Sequence, residues 1–147
     1  MPHDDKSWYL KNFKVFADIP QEKIDEIAGT THMKDYPKGH ILYTPDEESD
    51  QVYVLKQGEV ILYHERDGKR VIFDTLGPGS FFGGFSLRPE RMNHFAEVAV
   101  GSKICNFPQS VVLQMISAFP GAMLQFWKQV SDRLIEYEER MRDNGAP

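Results

Sequence analysis

The apolar positions of residues 6–28 predict two short amphipathic helices at the start of the chain. In the stretch "SWYLKNFKVFADIPQEKIDEIAG" they recur on one side of each helix, at about 6–15 and about 20–28. Pro20 suits the first turn of the second helix, and Gly29 suits its end. Helices of this length are marginal in water, so both are expected to pack on a larger body.

Residues 30–108 change to short apolar runs separated by turn residues. The runs read "HMKDY", "HILY", "QVYVLKQ", "EVILYHE", "RVIFDTL", "SFF", "HFAEVAV" and "KICNFP". Asp67 and Gly68 form a strong hairpin signal, because both central residues of a type I′ turn need a positive φ. Closely spaced strands with Gly and Pro turns predict an antiparallel sandwich or barrel.

After Pro108 the pattern predicts a short helix over "QSVVLQMISAF" and then a long one. Along the long helix apolar residues recur at alternating steps of four and three, which is a heptad stripe. Its members are Met123, Trp127, Val130, Leu134, Tyr137 and Met141. A helix of about 23 residues is roughly 35 Å long at 1.5 Å per residue. This is longer than a helix needs to be to cover one side of a small barrel. The helix either lies along the barrel or also pairs with its twin in a homodimer, and we favour the homodimer.

Composition and charge narrow the class of protein. The 147 residues suit one domain, and 41% hydrophobic with 27% charged residues is typical of a soluble globular protein. A net charge of −5 argues against nucleic-acid binding by this chain itself. No apolar run or secretory leader indicates a membrane segment or export. The single cysteine, Cys105, excludes an internal disulfide and a Cys-rich metal site, and is expected to be a core thiol in a cytoplasmic protein.

The stretch "YPKGHILYTPDEESDQVYVLKQGEVILYHERDGKRVIFDTLGPGSFFGG" resembles the cyclic-nucleotide-binding domain of bacterial CRP/FNR regulators. Its most specific pieces are Gly39, Gly58, the "DGK" hairpin and "LGPGSFFGG". The resemblance implies a mainly β fold, a double-stranded β-helix (jelly roll) of about eight strands. Two short N-terminal helices (1–29) would precede the roll (30–108), and C-terminal helices (109–145) would follow, the long one forming the dimer interface.

In that family a winged helix-turn-helix domain normally follows the effector domain. The sequence given stops at "RMRDNGAP", about where the hinge would lie. DNA contacts are therefore expected only through a C-terminal domain that this sequence lacks. An excised sensor half and a natural stand-alone version both stay open.

The family's phosphate loop reads Phe-Gly-Glu, a variable loop, then Arg-x-Ala-x-Val. Here Phe82-Gly83 matches at one end, and Ala96 with Val98 matches at the other. Gly84 stands where the resemblance places the ribose-binding Glu, and His94 where it places the phosphate-binding Arg. Losing a charge-assisted contact to a desolvated phosphate weakens binding roughly 30- to 4,000-fold. Tight cAMP binding in the usual manner is therefore not expected.

Two further groups complete the predicted site. Arg91 is either a substitute cation or a solvated loop arginine. The resemblance also implies that Tyr137 and Glu138 face the purine from the long helix. Tyr137 belongs to the heptad stripe as well, so its role can instead be packing. The candidate ligand-binding residues are Phe82, Gly83, Gly84, Phe85, Ser86, Arg91, His94, Phe95, Ala96, Tyr137 and Glu138.

Other chemistry finds little support in the sequence. No paired histidines at metal-ligand spacing and no catalytic triad or paired carboxylates stand out, so we expect neither a metal centre nor an enzyme. Some members of the resembling family bind haem, for which His94 or His40 would be the axial ligand.

The predicted function is a ligand-sensing regulatory domain that requires no cofactor, takes a small effector and signals through a dimer helix. A cyclic nucleotide held by non-standard contacts is the candidate effector. The alternatives are a haem-based gas sensor and an effector-free dimerisation module. In the last case Phe85, Leu87, Phe95 and Tyr137 would fill the barrel mouth.

Overall fold

The computed structural model describes residues 14–84 and 90–143. Most of the first predicted helix lies outside these ranges, and the described part begins with a 3-10 helix at Lys14–Phe16. Helix α1 follows at Gln21–Ala28. It begins directly after Pro20, which lies outside the helix rather than in its first turn.

Eight strands in the described residues form the body of the domain. They are β1 (His32–Tyr36), β2 (Ile41–Tyr43), β3 (Glu48–Ser49), β4 (Gln51–Arg66), β5 (Lys69–Leu76), β6 (Phe81–Gly83), β7 (Glu90–Arg91) and β8 (Phe95–Pro108). Two helices follow, α2 (Gln109–Ala118) and α3 (Pro120–Asp143). This is the predicted arrangement, a jelly roll of eight antiparallel strands flanked by helices.

The long strands β4 and β8 form the spine of the roll. They pair antiparallel from Gln51 opposite Pro108 to Tyr63 opposite Phe95. Strands β1 and β2 add to β8, while β5 and β6 add to β4, and β3 pairs with β7 in a separate small sheet. The short pair β3–β7 has no counterpart among the predicted strands.

The spine corrects one sequence expectation. The runs "QVYVLKQ" and "EVILYHE" were expected as separate strands, as were "HFAEVAV" and "KICNFP", but each pair is continuous in β4 and β8. Gly58 has a φ of +106°, and the register shifts on either side of it. Glycine tolerates this conformation, so the strand bends here without ending.

The turn between β4 and β5 confirms the hairpin signal. Asp67 and Gly68 have φ values of +53° and +75°, as a type I′ turn requires. The flanking residues Arg66 and Lys69 are paired.

Two apolar clusters form the core. One lies between the roll and the helices and includes Phe16, Phe81, Phe107 and Phe126. It also contains Cys105, which is fully buried and therefore the expected core thiol. The other fills the roll and contains Leu55, Leu62, Phe82, Ala96, Val98 and Ile104, among others.

Helix α3 divides its apolar residues between two faces. Ala122 and Phe126 are buried against the first cluster, and Val130 packs partly against it. Four members of the heptad stripe stay about half exposed or more: Met123, Trp127, Leu134 and Met141. The stripe is thus not one uniform face, because Val130 and Tyr137 turn toward the roll. Within the described residues, no helix has the length and apolar run that a bilayer crossing needs.

Gly58→Ala is expected to destabilise the domain by about 3 kcal/mol. A Cβ at this position would lie 2.0 Å from Ser102 Oγ and 2.7 Å from Ser102 Cα, in addition to the strain of a positive φ. Gly68→Ala is the matched control, since its φ is also positive but its Cβ would meet no described atom within 4 Å. It should cost about 1 kcal/mol. Equal losses of unfolding free energy in urea would contradict the packing argument.

Candidate functional site

A cavity of about 400 Å³ opens between the roll and helix α3. Its described lining comes from β4, β5, the end of β6 and the segment before β8 on one side, and from α3 on the other. The lining residues are Leu62, His64, Phe73, Gly83, Asn93, His94, Val130, Arg133, Leu134 and Tyr137. Mainly apolar walls with a few polar groups are typical of small-molecule sites.

Phe73 lies at the centre of the aromatic wall. Its ring stacks on His64 at 5.0 Å between centroids. It also meets the rings of His94 at 5.2 Å and Tyr137 at 6.1 Å, both edge to face. One residue of β5 thus contacts rings from β4, from the segment before β8 and from α3.

His94 is a neutral side chain with both ring nitrogens engaged. Nε2 lies 2.8 Å from the Tyr43 hydroxyl, and Nδ1 lies 2.6 Å from Asn93 Oδ1. Burial lowers the pKa of His94 to about 4, with smaller contributions from His64 and Arg133. Burial raises the pKa of Tyr43, so its hydroxyl keeps its proton. A ring protonated on Nδ1 satisfies both contacts, donating to Asn93 and accepting from Tyr43.

Arg133 is the permanent cation among the described residues that line the cavity. Nη1 donates to the Phe81 carbonyl at 2.5 Å, and Nη2 donates to the Tyr137 hydroxyl at 3.1 Å. The Tyr137 hydroxyl donates in turn to Asp74 Oδ2 at 2.5 Å. Burial, reinforced by that hydrogen bond, raises the pKa of Tyr137. Among the described lining residues, the permanent positive charge of the site therefore comes from α3.

The buried side chain of Gln109 packs where an acidic side chain at position 84 would begin. A Cβ on Gly84 would lie 2.1 Å from Gln109 Nε2 and 3.2 Å from the Gln51 carbonyl oxygen. Gln109 is buried and donates to the Gly84 carbonyl at 2.8 Å. The first residue of α2 thus occupies the space that a longer side chain at position 84 would need.

The sequence profile of the cyclic nucleotide-binding domain matches residues 33–119. This range holds the β-roll except His32, the first residue of β1, together with helix α2. The chain belongs to the cyclic nucleotide-binding domain family.

Relatives of this cyclic nucleotide-binding domain include bacterial regulators. It is 28% identical over 106 residues to the cAMP-activated global transcriptional regulator CRP of Pasteurella multocida, covering 70% of this chain and 51% of that protein. The chain spans about half the length, or less, of the curated relatives compared.

Solved structures share its fold at lower identity. The sensor domain of the transcriptional regulator DNR from Pseudomonas aeruginosa aligns with a TM-score of 0.73 and 18% identity, over 87% of this chain and 92% of that one. Thermus thermophilus catabolite activator protein aligns with a TM-score of 0.71 and 19% identity, over 90% of this chain and 63% of that one. At these identities the likeness concerns the fold alone.

The structure brings only some of the predicted ligand-binding residues to the cavity. Gly83, His94 and Tyr137 line it. Phe82 and Ala96 are fully buried inside the roll instead. Phe82 stacks on Tyr53 at 5.1 Å between ring centroids, which makes it a packing residue.

Three other candidates are not among the described lining residues of the cavity. The ring of Phe95 stacks on Tyr63 at 4.9 Å. Arg91 lies in β7, is exposed and donates to the Asp46 carbonyl at 2.9 Å, so it is not the substitute cation in this arrangement. Glu138 is exposed on α3 and is not among the lining residues. Phe85, Ser86 and Leu87 lie outside the described residues.

Sequence reasoning missed Arg133 and Asp74. Arg133 precedes Tyr137 by one helical turn, so a roll-facing Tyr137 already implied a roll-facing Arg133. Asp74 is an acid within the apolar run "RVIFDTL", which is an unusual place for a charge unless it is paired. Among the described residues, no three His, Cys, Asp or Glu side chains are grouped as a metal ion would require.

Acidification is expected to destabilise the domain through His94. Its pKa is about 4 in the folded state and about 6.5 when unfolded. Between these values the unfolded chain binds more protons, so stability falls as pH drops from about 6.5 to 4. The loss should be about 2 kcal/mol for a half-buried ring partly screened by water.

Urea unfolding of the wild type and His94→Gln at pH 7 and pH 4.5 checks this. The amide can keep hydrogen bonds to Tyr43 and Asn93 but does not titrate, so the variant should lose about 2 kcal/mol less over that pH range. The same pH dependence in both proteins would show that His94 is not responsible.

Proposed function

We propose that this domain is a ligand-sensing regulatory module that binds a small effector between the β-roll and helix α3. The observation that carries the proposal is the shared lining of the cavity. Phe73, His94 and Gly83 belong to the roll, whereas Arg133, Leu134 and Tyr137 belong to α3. An occupant would contact both parts, and differential contacts are what an effector needs to shift a conformational equilibrium.

The lining favours an effector with an anionic group and a flat apolar body. Arg133 offers a charged donor to a phosphate or carboxylate. The wall formed by Phe73, His64 and Leu62 suits an aromatic ring system. A cyclic nucleotide has both features, and membership of the family supports it as the effector class. Binding would be weak, because neutral His94 replaces an arginine and Gly84 replaces an acid.

Signal transmission would pass through α3 to a second copy of the chain. The exposed members of the stripe offer an apolar surface along the helix, and heptad spacing suits pairing of two such helices. The related proteins named above as transcriptional regulators support a regulatory rather than an enzymatic role. DNA would be contacted by another part of such a regulator, and a cytoplasmic location fits the same class.

The two alternative functions find less support in the geometry. A haem ligand needs an available imidazole nitrogen, and both nitrogens of His94 are within hydrogen-bond distance of Tyr43 and Asn93. His40 packs beside Tyr36 and is not among the described lining residues. An effector-free module would have Phe85, Leu87, Phe95 and Tyr137 filling the mouth of the roll. Of the two that the structure describes, Phe95 stacks on Tyr63 and Tyr137 borders the cavity.

Thermal unfolding with cAMP, cGMP or haemin tests the proposal. An effector at 100 times its dissociation constant adds about 2.7 kcal/mol of stability. We expect a cyclic nucleotide to stabilise the domain only at concentrations well above those that saturate a site with both the Glu and the Arg of the family pattern. With haemin we expect no Soret band. Haemin binding that disappears in His94→Ala would favour the gas-sensor alternative.

His94→Arg is expected to tighten cAMP binding about 30-fold or more. It restores a charged donor at the position where the family pattern has one, and a charge-assisted contact in a desolvated site contributes at least about 2 kcal/mol. The Tyr43 hydroxyl oxygen can accept from the new guanidinium. Calorimetric titration measures the change, and Arg91→Ala is the control with no expected effect. Loss of binding in Arg91→Ala would contradict the placement of that side chain.

Trp127→Glu is expected to shift the protein from dimer to monomer at micromolar concentration. The Trp127 side chain is 63% exposed on α3 and lies outside the described cavity lining, so the change should leave the fold intact. Sedimentation velocity measures the mass, and Lys128→Glu, at the adjacent exposed position, is the charge control. A wild type that sediments as a monomer would overturn the homodimer.

A further inference from the structure

Asp74 is a buried carboxylate held almost entirely by helix α3. Its side chain is 5% exposed. Oδ2 accepts from the Tyr137 hydroxyl at 2.5 Å and lies 3.7 Å from Arg133 Nη2. Oδ1 lies 3.5 Å from Arg140 Nη2 and accepts from the Thr75 backbone N–H at 2.9 Å. A charge so far from water requires such partners.

Two of these partners also line the cavity. Arg133 and Tyr137 face the space where an effector would lie, and they are the donors that an effector anion would use. Asp74 therefore already provides, from within the protein, the negative charge that a ligand would bring. The attraction that Arg133 offers to a ligand is reduced by this neighbouring carboxylate.

Asp74 would keep other partners if an effector took over Arg133. Arg140 and the Thr75 N–H both contact Oδ1, whereas the Tyr137 hydroxyl and Arg133 Nη2 contact Oδ2. Arg140 also donates to the Phe73 carbonyl, which keeps it at the edge of β5. The carboxylate would not be left unpaired, so the exchange avoids the large cost of an isolated buried charge.

We propose that Asp74 is a positioning residue that competes with an anionic effector for Arg133 and Tyr137. This competition sets how tightly the cavity binds anions. Effector binding draws Arg133 and Tyr137 away from Asp74 and leaves Arg140 as its pairing cation, two helical turns beyond Arg133 at about 10.5 Å. Binding of an effector in the cavity thereby changes the contacts of the C-terminal end of α3. The inference rests on the proposed effector-binding function.

Calorimetric titration of cAMP into the wild type, Asp74→Asn and Asp132→Asn tests the competition. Asp74→Asn removes the competing charge and should bind cAMP about tenfold more tightly, equal to about 1.4 kcal/mol. Asp132 is an exposed acid next to Arg133 in sequence and is absent from the described cavity lining, so its variant should stay within twofold of the wild type. A purely structural role for Asp74 predicts no gain in affinity.

The unfavourable outcomes separate the two proposals. Unchanged or weaker binding by Asp74→Asn, with a wild type that binds, overturns the competition but leaves the effector site standing. Absence of cAMP binding in all three proteins overturns the cyclic-nucleotide function and this inference with it.

Hydrogen exchange tests the coupling in the wild type itself, without reliance on a variant that must fold. Saturating cAMP should change exchange of the amides at 134–143 at least about twofold in the wild type and in Asp132→Asn, and much less in Asp74→Asn. An unchanged rate in the wild type would overturn the coupling.

Discussion

The antiparallel ladder between β4 and β8 is the constraint on which the rest of the domain depends. At one end it pairs Gln51 with Pro108, directly before Gln109 begins α2 and covers Gly84. At the other end it pairs Tyr63 with Phe95, directly after His94. One ladder therefore positions both Gln109, which packs against Gly84, and the histidine that borders the cavity. The bend at Gly58 lets the two strands stay continuous over this length.

Burial determines which side chains of the site are charged. His94 is neutral because its surroundings disfavour the imidazolium, and two hydrogen bonds satisfy the neutral ring. Arg133 and Asp74 are both largely buried and lie close together, which fits the rule that buried charges are paired. In the proposed effector site, one cation on α3 with an acid beside it would take the place of the pair of charged contacts that the family pattern has on the roll.

Helix α3 has one face against the roll and one exposed apolar face, and the residues of the two faces are close in sequence. Phe126, Val130, Arg133 and Tyr137 face the roll, while Met123, Trp127 and Leu134 stay largely exposed. Leu134 belongs to both groups, since it lines the cavity and is 54% exposed. A helix in which ligand contacts and exposed apolar residues alternate over one or two turns can transmit a rotation from one surface to the other. The proposed effector and homodimer would therefore be coupled by geometry alone.

The sequence by itself determined the local elements and the losses at the phosphate loop. The Asp67-Gly68 turn, most strand positions and the long C-terminal helix follow from residue type and spacing, because they are properties of neighbouring residues. The exchanges at Gly84 and His94 follow from comparing the sequence with the pattern of the resembling family. Tertiary structure alone decided that Arg133 faces the cavity, that Gln109 fills the space at Gly84, and that Arg91 binds the Asp46 carbonyl. These outcomes depend on the rotation of α3 against the roll and on contacts between distant segments. A one-dimensional pattern does not encode either of them directly.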